Sequence, residues 1–173
     1  MATGVMEHRS TSIATPLGDL SLVVSDRGVV WTMFSDEDVD QDLERLEARL
    51  GSSIRPGASR DMSPLRREVD AYFLGRRRAF ATPVDLTLVP HGFARRVLEA
   101  TMAIPYGELA TYGDVADSAG SRRAGRAAGS ALSRCPIELL VPCHRVVHAG
   151  GTIGGYGRHE DRKRWLLRHE GAA

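Results

Sequence analysis

The amino-acid sequence predicts an α+β fold: a β-meander with helices in its first half, then a mostly helical second half carrying a helix-turn-helix. Three observations predict it. Residues 12–34 hold three β-branched or aromatic runs separated by turn signals. Apolar residues then recur at helical spacing over 39–50, 65–73 and 93–102. Farther on, two short helical segments flank Gly120-Ser121, the tight glycine-containing turn of a helix-turn-helix.

Each element has a local cause. Ser12-Ile13-Ala14-Thr15 is the first strand, and Pro16-Leu17-Gly18-Asp19 turns the chain. Leu20 to Val24 is the second strand, Asp26-Arg27-Gly28 the next turn, and Val29 to Phe34 the third strand. Ser35 with Asp38 supplies a capping pattern for a helix marked by Val39, Leu43, Leu46 and Leu50 and closed by Gly51. Residues 51–59 read as a polar connector. Leu65, Val69, Tyr72 and Phe73 mark another helix that ends at Gly75. Arg76-Arg77-Arg78 follows, a solvated basic run or a DNA contact. Residues 83–88 alternate like a strand. A boundary near Pro90-His91 divides the chain into an N-terminal αβ lobe, 1–90, and a C-terminal domain, 91–173.

In the second part, Phe93, Val97, Leu98 and Met102 predict a helix that stops before Pro105. Leu109-Ala110-Thr111 leads into a short helix through Val115 and Ala116. Ser121 is the expected N-cap of the next helix, marked by Ala124, Ala127, Ala128, Ala131 and Leu132 and carrying Arg122, Arg123, Arg126 and Arg134. The apolar run 137–141 reads as a short buried strand, stopped by Pro142, which has no N–H for a ladder bond.

Composition narrows the class. A chain of 173 residues with 42% hydrophobic content and net charge +1 fits a globular protein. No apolar stretch approaches the ~20 residues that span a membrane, and the N-terminal residues lack a signal-peptide core. Two cysteines are too few for a disulfide framework, so a cytoplasmic location is expected. Charge is uneven, −3 over residues 1–90 and +4 over residues 91–173, which makes the second part the expected face for a polyanion. All its basic side chains but Lys163 are arginines.

The most chemically informative stretch is Pro142-Cys143-His144-Arg145-Val146. A thiolate is the reactive form of cysteine, and neighbouring cationic or hydrogen-bonding groups favour it. Taken alone, a cysteine after an apolar run is usually an inert core residue. This stretch, however, resembles the active-site signature of the methylated-DNA–protein-cysteine methyltransferases, which repair guanine alkylated on O6. Residues 104–108 and 111–116 resemble that family's entry to its DNA-binding helices, and residues 123–129 its recognition helix. Residues 154–157 resemble its substrate loop and 162–171 its closing helix.

The resemblance implies a ribonuclease-H-like N-terminal lobe and a DNA-binding, alkyl-accepting C-terminal domain. Cys143 would take the alkyl group, activated by a relay through water to His144 and Glu170. Tyr112 would turn the phosphate and contact the guanine, and Arg126 would fill the gap left by the extruded base. Arg122, Arg123 and Ala127 would lie on the DNA face of a helix inserted in the minor groove. Carbonyls around Cys143 and Val146, with Tyr156 and Gly157, would form the pocket, although the residues alone favour Tyr156 as a loop aromatic over the core. Arg145 reads as a local anchor through carboxylate or carbonyl contacts. The implied partner is double-stranded DNA carrying O6-alkylguanine. The expected protein is a monomer, able to bind DNA cooperatively, with no membrane, metal or other cofactor.

Two positions depart from the family pattern. Cys135 stands where the family usually has an asparagine that bridges recognition helix and active-site turn, and a thiol is a weak substitute. Arg158-His159 replaces glycines after the substrate loop. Three rival readings remain: a metal site of Cys135, Cys143, His144 and His148; a non-catalytic protein that binds alkylated DNA; and a helix-turn-helix regulator.

Overall fold

The computed structural model describes residues 7–35, 39–57, 62–157 and 159–173. The chain forms two compact units, Met1–Leu88 and Val89–Ala173.

In the first unit, β1 (His8–Thr15), β2 (Gly18–Ser25) and β3 (Gly28–Ser35) form the expected antiparallel meander. β4 (Ile54–Pro56) pairs in parallel with the outer side of β1, giving the order β3-β2-β1-β4. This strand lies inside the stretch read as a connector. Three half-exposed or exposed residues are too few to show alternation, and Pro56 is tolerated because the strand is at an edge. Leu20, Ser21, Leu22 and Val23 are all buried, as expected of a central strand covered on both faces. α1 (Val39–Leu50) sets Leu46 against Val23 and Trp31, with Met33, Leu43 and Leu50 around them. α2 (Ser63–Phe73) packs against β1 and buries Leu65, Val69 and Tyr72. Gly75 closes it at φ 68°, where Arg76 N–H donates to Ala71 O at 2.8 Å. Asp38 of the expected α1 cap lies outside the described residues.

Residues 83–88 are not a strand. Val84 makes a single bridge to Val29, and a 3₁₀ turn follows at Leu86–Leu88. The carboxylate of Asp85 accepts from Thr87 N–H at 3.0 Å, so a side chain takes the donor that a ladder would have used.

The second unit contains α3 (Phe93–Met102), β5 (Ala110–Thr111), α4 (Tyr112–Ser118), α5 (Gly125–Leu132), β6 (Val146–Val147) and α6 (Glu160–Glu170). α4 and α5 are the helix-turn-helix. Thr111 and Asp114 cap α4 reciprocally: Thr111 Oγ1 accepts from Asp114 N–H at 3.1 Å, and Asp114 Oδ2 from Thr111 N–H at 2.8 Å. Ser121 does not cap α5; Ala124 holds that position with no side-chain cap. Arg122 and Arg123 therefore lie in the turn, with Arg123 at φ 68°, and Arg134 lies past the helix end. Only Arg126 of the four arginines is on α5 itself.

Residues 137–141, buried except for the half-buried Glu138, are not a strand, and only Ile137 makes a bridge. Leu139 stands at φ 69° and Leu140 N–H folds back to Glu138 O at 2.8 Å. The run is apolar because it is enclosed, and enclosure alone does not fix a backbone conformation. No helix among the described residues is long and apolar enough to cross a membrane.

Candidate active site

A cavity of about 460 Å³ opens in the second unit. Of the residues singled out from sequence, Tyr112, Arg126, Cys135, Cys143, Tyr156 and Gly157 line it. His144, Arg145 and Glu170 are packed behind it, fully or almost fully buried. Arg122, Arg123 and Ala127 are exposed outside it, and Arg122 pairs with Asp117 at 3.2 Å. Val146 does not line the cavity: it is wholly buried, and its carbonyl accepts from Lys163 Nζ at 2.5 Å.

Pro142, at φ −79° and ψ 60°, turns the chain out of the buried run and into a 3₁₀ turn, Cys143–Arg145. Arg145 N–H donates to Pro142 O at 2.9 Å, and Val146 N–H to Cys143 O. The thiol thus sits on a tight turn rather than a strand end, and consecutive side chains need not face opposite ways. β6 continues directly from this turn and pairs in parallel with β5, matching Ala110 with Val146 and Thr111 with Val147. Tyr112 follows β5 as the first residue of α4, so the pairing sets it across the cavity from Cys143.

Behind the thiol, His144 Nε2 lies 2.8 Å from Glu170 Oε1. The same carboxylate accepts from Arg145 Nε and Nη2, each at 2.9 Å, and from Gly107 N–H at 3.2 Å. Arg145 also donates to Ile104 O at 2.6 Å. A carboxylate can only accept, so Nε2 carries the hydrogen and Nδ1 is left with a lone pair. Nδ1 is buried and has no protein hydrogen-bond partner among the described residues. Burial lowers the pKa of His144, and the charges of Arg145 and Lys163 add to this, against the opposing pull of Glu170. The imidazole is therefore neutral near pH 7.

The thiol of Cys143 is pushed well above its ordinary pKa, first by a hydrogen bond with the Cys135 thiol, then by burial and by the charges of Cys135 and Glu138. Lys163 opposes them. Cys135 Sγ also lies 3.5 Å from Ile137 O. Tyr112 is raised by burial and then by the charge of Cys143, so its hydroxyl keeps its proton. Its ring packs on His148 at 5.0 Å between centroids. Tyr156 is raised well above its ordinary value, chiefly by burial, and its ring meets His144 edge-on at 6.4 Å.

Sequence reasoning missed Lys163 as a site residue. Its side chain has no exposed surface, and Nζ also reaches Gly155 O at 3.3 Å, joining the Val146 turn to the loop that carries Tyr156. Desolvation lowers its pKa to about 8. A signal was present: Lys163, Leu166, Leu167 and Glu170 fall on one helical stripe, which places a cation and a carboxylate on a buried face. His148, marked from sequence only as a rival metal ligand, also lines the cavity, as does Glu138, which no pattern marked. Arg158 of the altered loop lies outside the described residues. Among the described residues, no three His, Cys, Asp or Glu side chains are grouped to hold a metal ion.

Comparison with known proteins gives a consistent result. Residues 9–86 match the family described as 6-O-methylguanine DNA methyltransferase, ribonuclease-like domain, and residues 92–172 match its DNA binding domain. The methylated-DNA–protein-cysteine methyltransferase of Mycobacterium leprae is 39% identical over 159 residues, covering 92% of this chain and 90% of that protein. A DNA base-flipping protein of Thermus thermophilus is 39% identical over 162 residues, covering 92% and 98%. The crystal structure of Mycobacterium tuberculosis OGT in complex with DNA superposes with a TM-score of 0.78 at 34% identity, covering 96% of this chain and 93% of that one.

Proposed function

The chain belongs to the methylated-DNA–protein-cysteine methyltransferases, and on that premise we propose that Cys143 is its alkyl acceptor. The reaction is direct-reversal DNA repair: an alkyl group passes from O6 of guanine in DNA to a cysteine sulfur. The product is a thioether, so each molecule acts once. The reading rests on one observation above the rest: a thiol at the cavity wall, with a neutral imidazole oriented by a buried carboxylate directly behind it.

The chemistry follows from the geometry. The proton of Cys143 leaves through one water molecule to the free lone pair of His144 Nδ1. Glu170 holds the tautomer and stabilises the imidazolium once it forms. The sulfur then attacks the alkyl carbon in line; the S–C bond forms as the C–O6 bond breaks. The protonated hydroxyl of Tyr112 donates to the departing guanine. The resting thiol is held protonated, so the relay supplies the thiolate during the reaction rather than before it.

DNA is the partner. The 91–173 domain binds DNA and accepts the alkyl group. Arg126 stands exposed on α5 beside the cavity, placed to occupy the stack when the base is extruded, with Arg122, Arg123 and Ala127 on the DNA face. Extrusion costs a few kcal/mol, less for a damaged pair, which contributes to lesion selection without base readout. The protein acts as a monomer, with cooperative packing along DNA, in a reducing cytoplasm that keeps the thiol usable.

Incubation with duplex DNA containing O6-methylguanine, followed by peptide mass analysis, tests the reading. Methyl is expected on the Cys143 peptide of the parent and nowhere in Cys143→Ala. Tight lesion binding without transfer would instead favour a non-catalytic lesion binder, the reading that similarity to the Thermus base-flipping protein keeps in view.

A further inference from the structure

The cavity holds two thiols, and alkyl transfer uses one. Cys135 and Cys143 are eight residues apart, both unpaired, both half-buried, and both on the cavity wall. Both side chains open onto the same cavity wall as Glu138 and Tyr156, and the Cys135 thiol is near enough to perturb the proton of Cys143. Between them the backbone is irregular, with Leu139 at φ 69° and a single bridge residue, Ile137, so small adjustments cost few hydrogen bonds. The cavity of about 460 Å³ admits a molecule far larger than a peroxide.

We infer that Cys135 and Cys143 form a peroxide-sensitive dithiol that closes to an intramolecular disulfide, giving the acceptor site a reversible oxidised state. Because the resting Cys143 thiol is protonated, its proton first passes through water to His144 Nδ1, and the thiolate so formed attacks hydrogen peroxide: an S–O bond forms, the O–O bond breaks, hydroxide leaves and takes up that proton as water, and the sulfur is oxidised to a sulfenic acid. The second thiolate attacks that sulfur: the S–S bond forms, the S–O bond breaks, and hydroxide leaves again. In sum, two thiols and one hydrogen peroxide give one disulfide and two waters. A dithiol reductant returns both thiols. Without Cys135, the sulfenic acid of Cys143 proceeds under excess peroxide to sulfinic acid, which thiols do not reduce. The consequence for repair rests on Cys143 being the alkyl acceptor; the bond itself does not.

The full chain, reduced and dilute, is treated with hydrogen peroxide, blocked with a maleimide and digested without reduction. The expected result is a Cys135–Cys143 linked peptide, loss of both free thiols, and a drop of about tenfold or more in methyl transfer that dithiothreitol reverses. In Cys135→Ser and Cys135→Ala, the linked peptide is absent, Cys143 sulfinic acid accumulates, and dithiothreitol does not restore transfer. Sulfinic acid without a linked peptide in the parent, a link only between separate molecules, or full recovery of both variants with dithiothreitol would each overturn the inference. A linked peptide in a chain that transfers no methyl even when reduced would uphold the disulfide and overturn the acceptor assignment instead.

Discussion

His144 Nε2 and Glu170 Oε1 lie 2.8 Å apart, and neither side chain has exposed surface. The carboxylate also binds the Arg145 guanidinium through two bonds and the Gly107 amide through one. One buried anion therefore orients the imidazole, neutralises a buried cation and ties the loop before β5 to α6. Burial first, and then the charges of Arg145 and Lys163, outweigh its pull on the imidazole, which stays neutral at rest.

Glu170→Gln separates these duties. It keeps the shape but leaves Arg145 buried without a counter-ion, an expected loss of about 3–5 kcal/mol by urea unfolding. Single-turnover methyl transfer under fully folded conditions falls by about 10²-fold, because the imidazolium that forms in the reaction loses its partner.

His144 predicts a pH dependence with a definite sign. Its folded pKa lies below its ordinary value of 6.5. The unfolded chain therefore binds the proton more readily, and stability from this group is present above 6.5 and lost as pH falls through the depressed value. Transfer follows the same direction, since only the neutral ring accepts the thiol proton. Urea midpoints measured across about pH 5–8 fall on the acid side, and His144→Asn flattens that part of the curve.

Lys163 is the sole lysine, which makes its Nζ a single resonance by NMR. Its titration midpoint is expected at about 8, against an ordinary 10.5. Because the folded value is the lower one, stability from this group rises as pH increases from about 8 towards 10.5. Lys163→Met removes a positive charge that favours the Cys143 thiolate and moves iodoacetamide labelling of Cys143 to higher pH.

Cys135→Asn removes the thiol contact that most strongly keeps Cys143 protonated. Iodoacetamide labelling of Cys143 shifts to lower pH, and single-turnover transfer at neutral pH rises by about threefold or more. A rate at or below the parent counts against this account.

Arg126→Ala distinguishes base extrusion from chemistry. Arg126 is exposed at the cavity wall, whereas His144 and Glu170 are buried. Transfer from methylguanine in duplex DNA is expected to fall about tenfold or more, while transfer from the free base O6-benzylguanine stays within about twofold.

How far the sequence reached depends on the kind of signal. The meander, α1, α2 and α3 were legible because turns punctuate the strands and apolar spacing marks the helices. β4 was not, since three residues beside a glycine turn carry no period. Residues 137–141 were misread because an enclosed apolar run has the composition of a strand whatever its dihedrals. The site residues were found through a resemblance that runs along the chain; periodicity alone would have left Cys143 as a core residue. Arg122 and Arg123 were placed one element too late because alanine-rich spacing sets a helix face better than its first turn. Lys163 was overlooked because its significance lies in burial, which only the packed α6 reveals.

The pairing of Ala110 with Val146 and Thr111 with Val147 has a bearing on lesion range. Tyr112 leaves the end of one member, and the turn that bears Cys143 runs into the start of the other. Those two side chains are thus mounted like jaws on one fixed gauge, whose opening is set by backbone spacing and not by the lesion. Gly155, Tyr156 and Gly157 form the wall beside them, a part of the cavity with few side-chain atoms to displace. Tolerance for adduct size is therefore written into that glycine-rich rim, and exchanging the rim between relatives should carry the size preference with it.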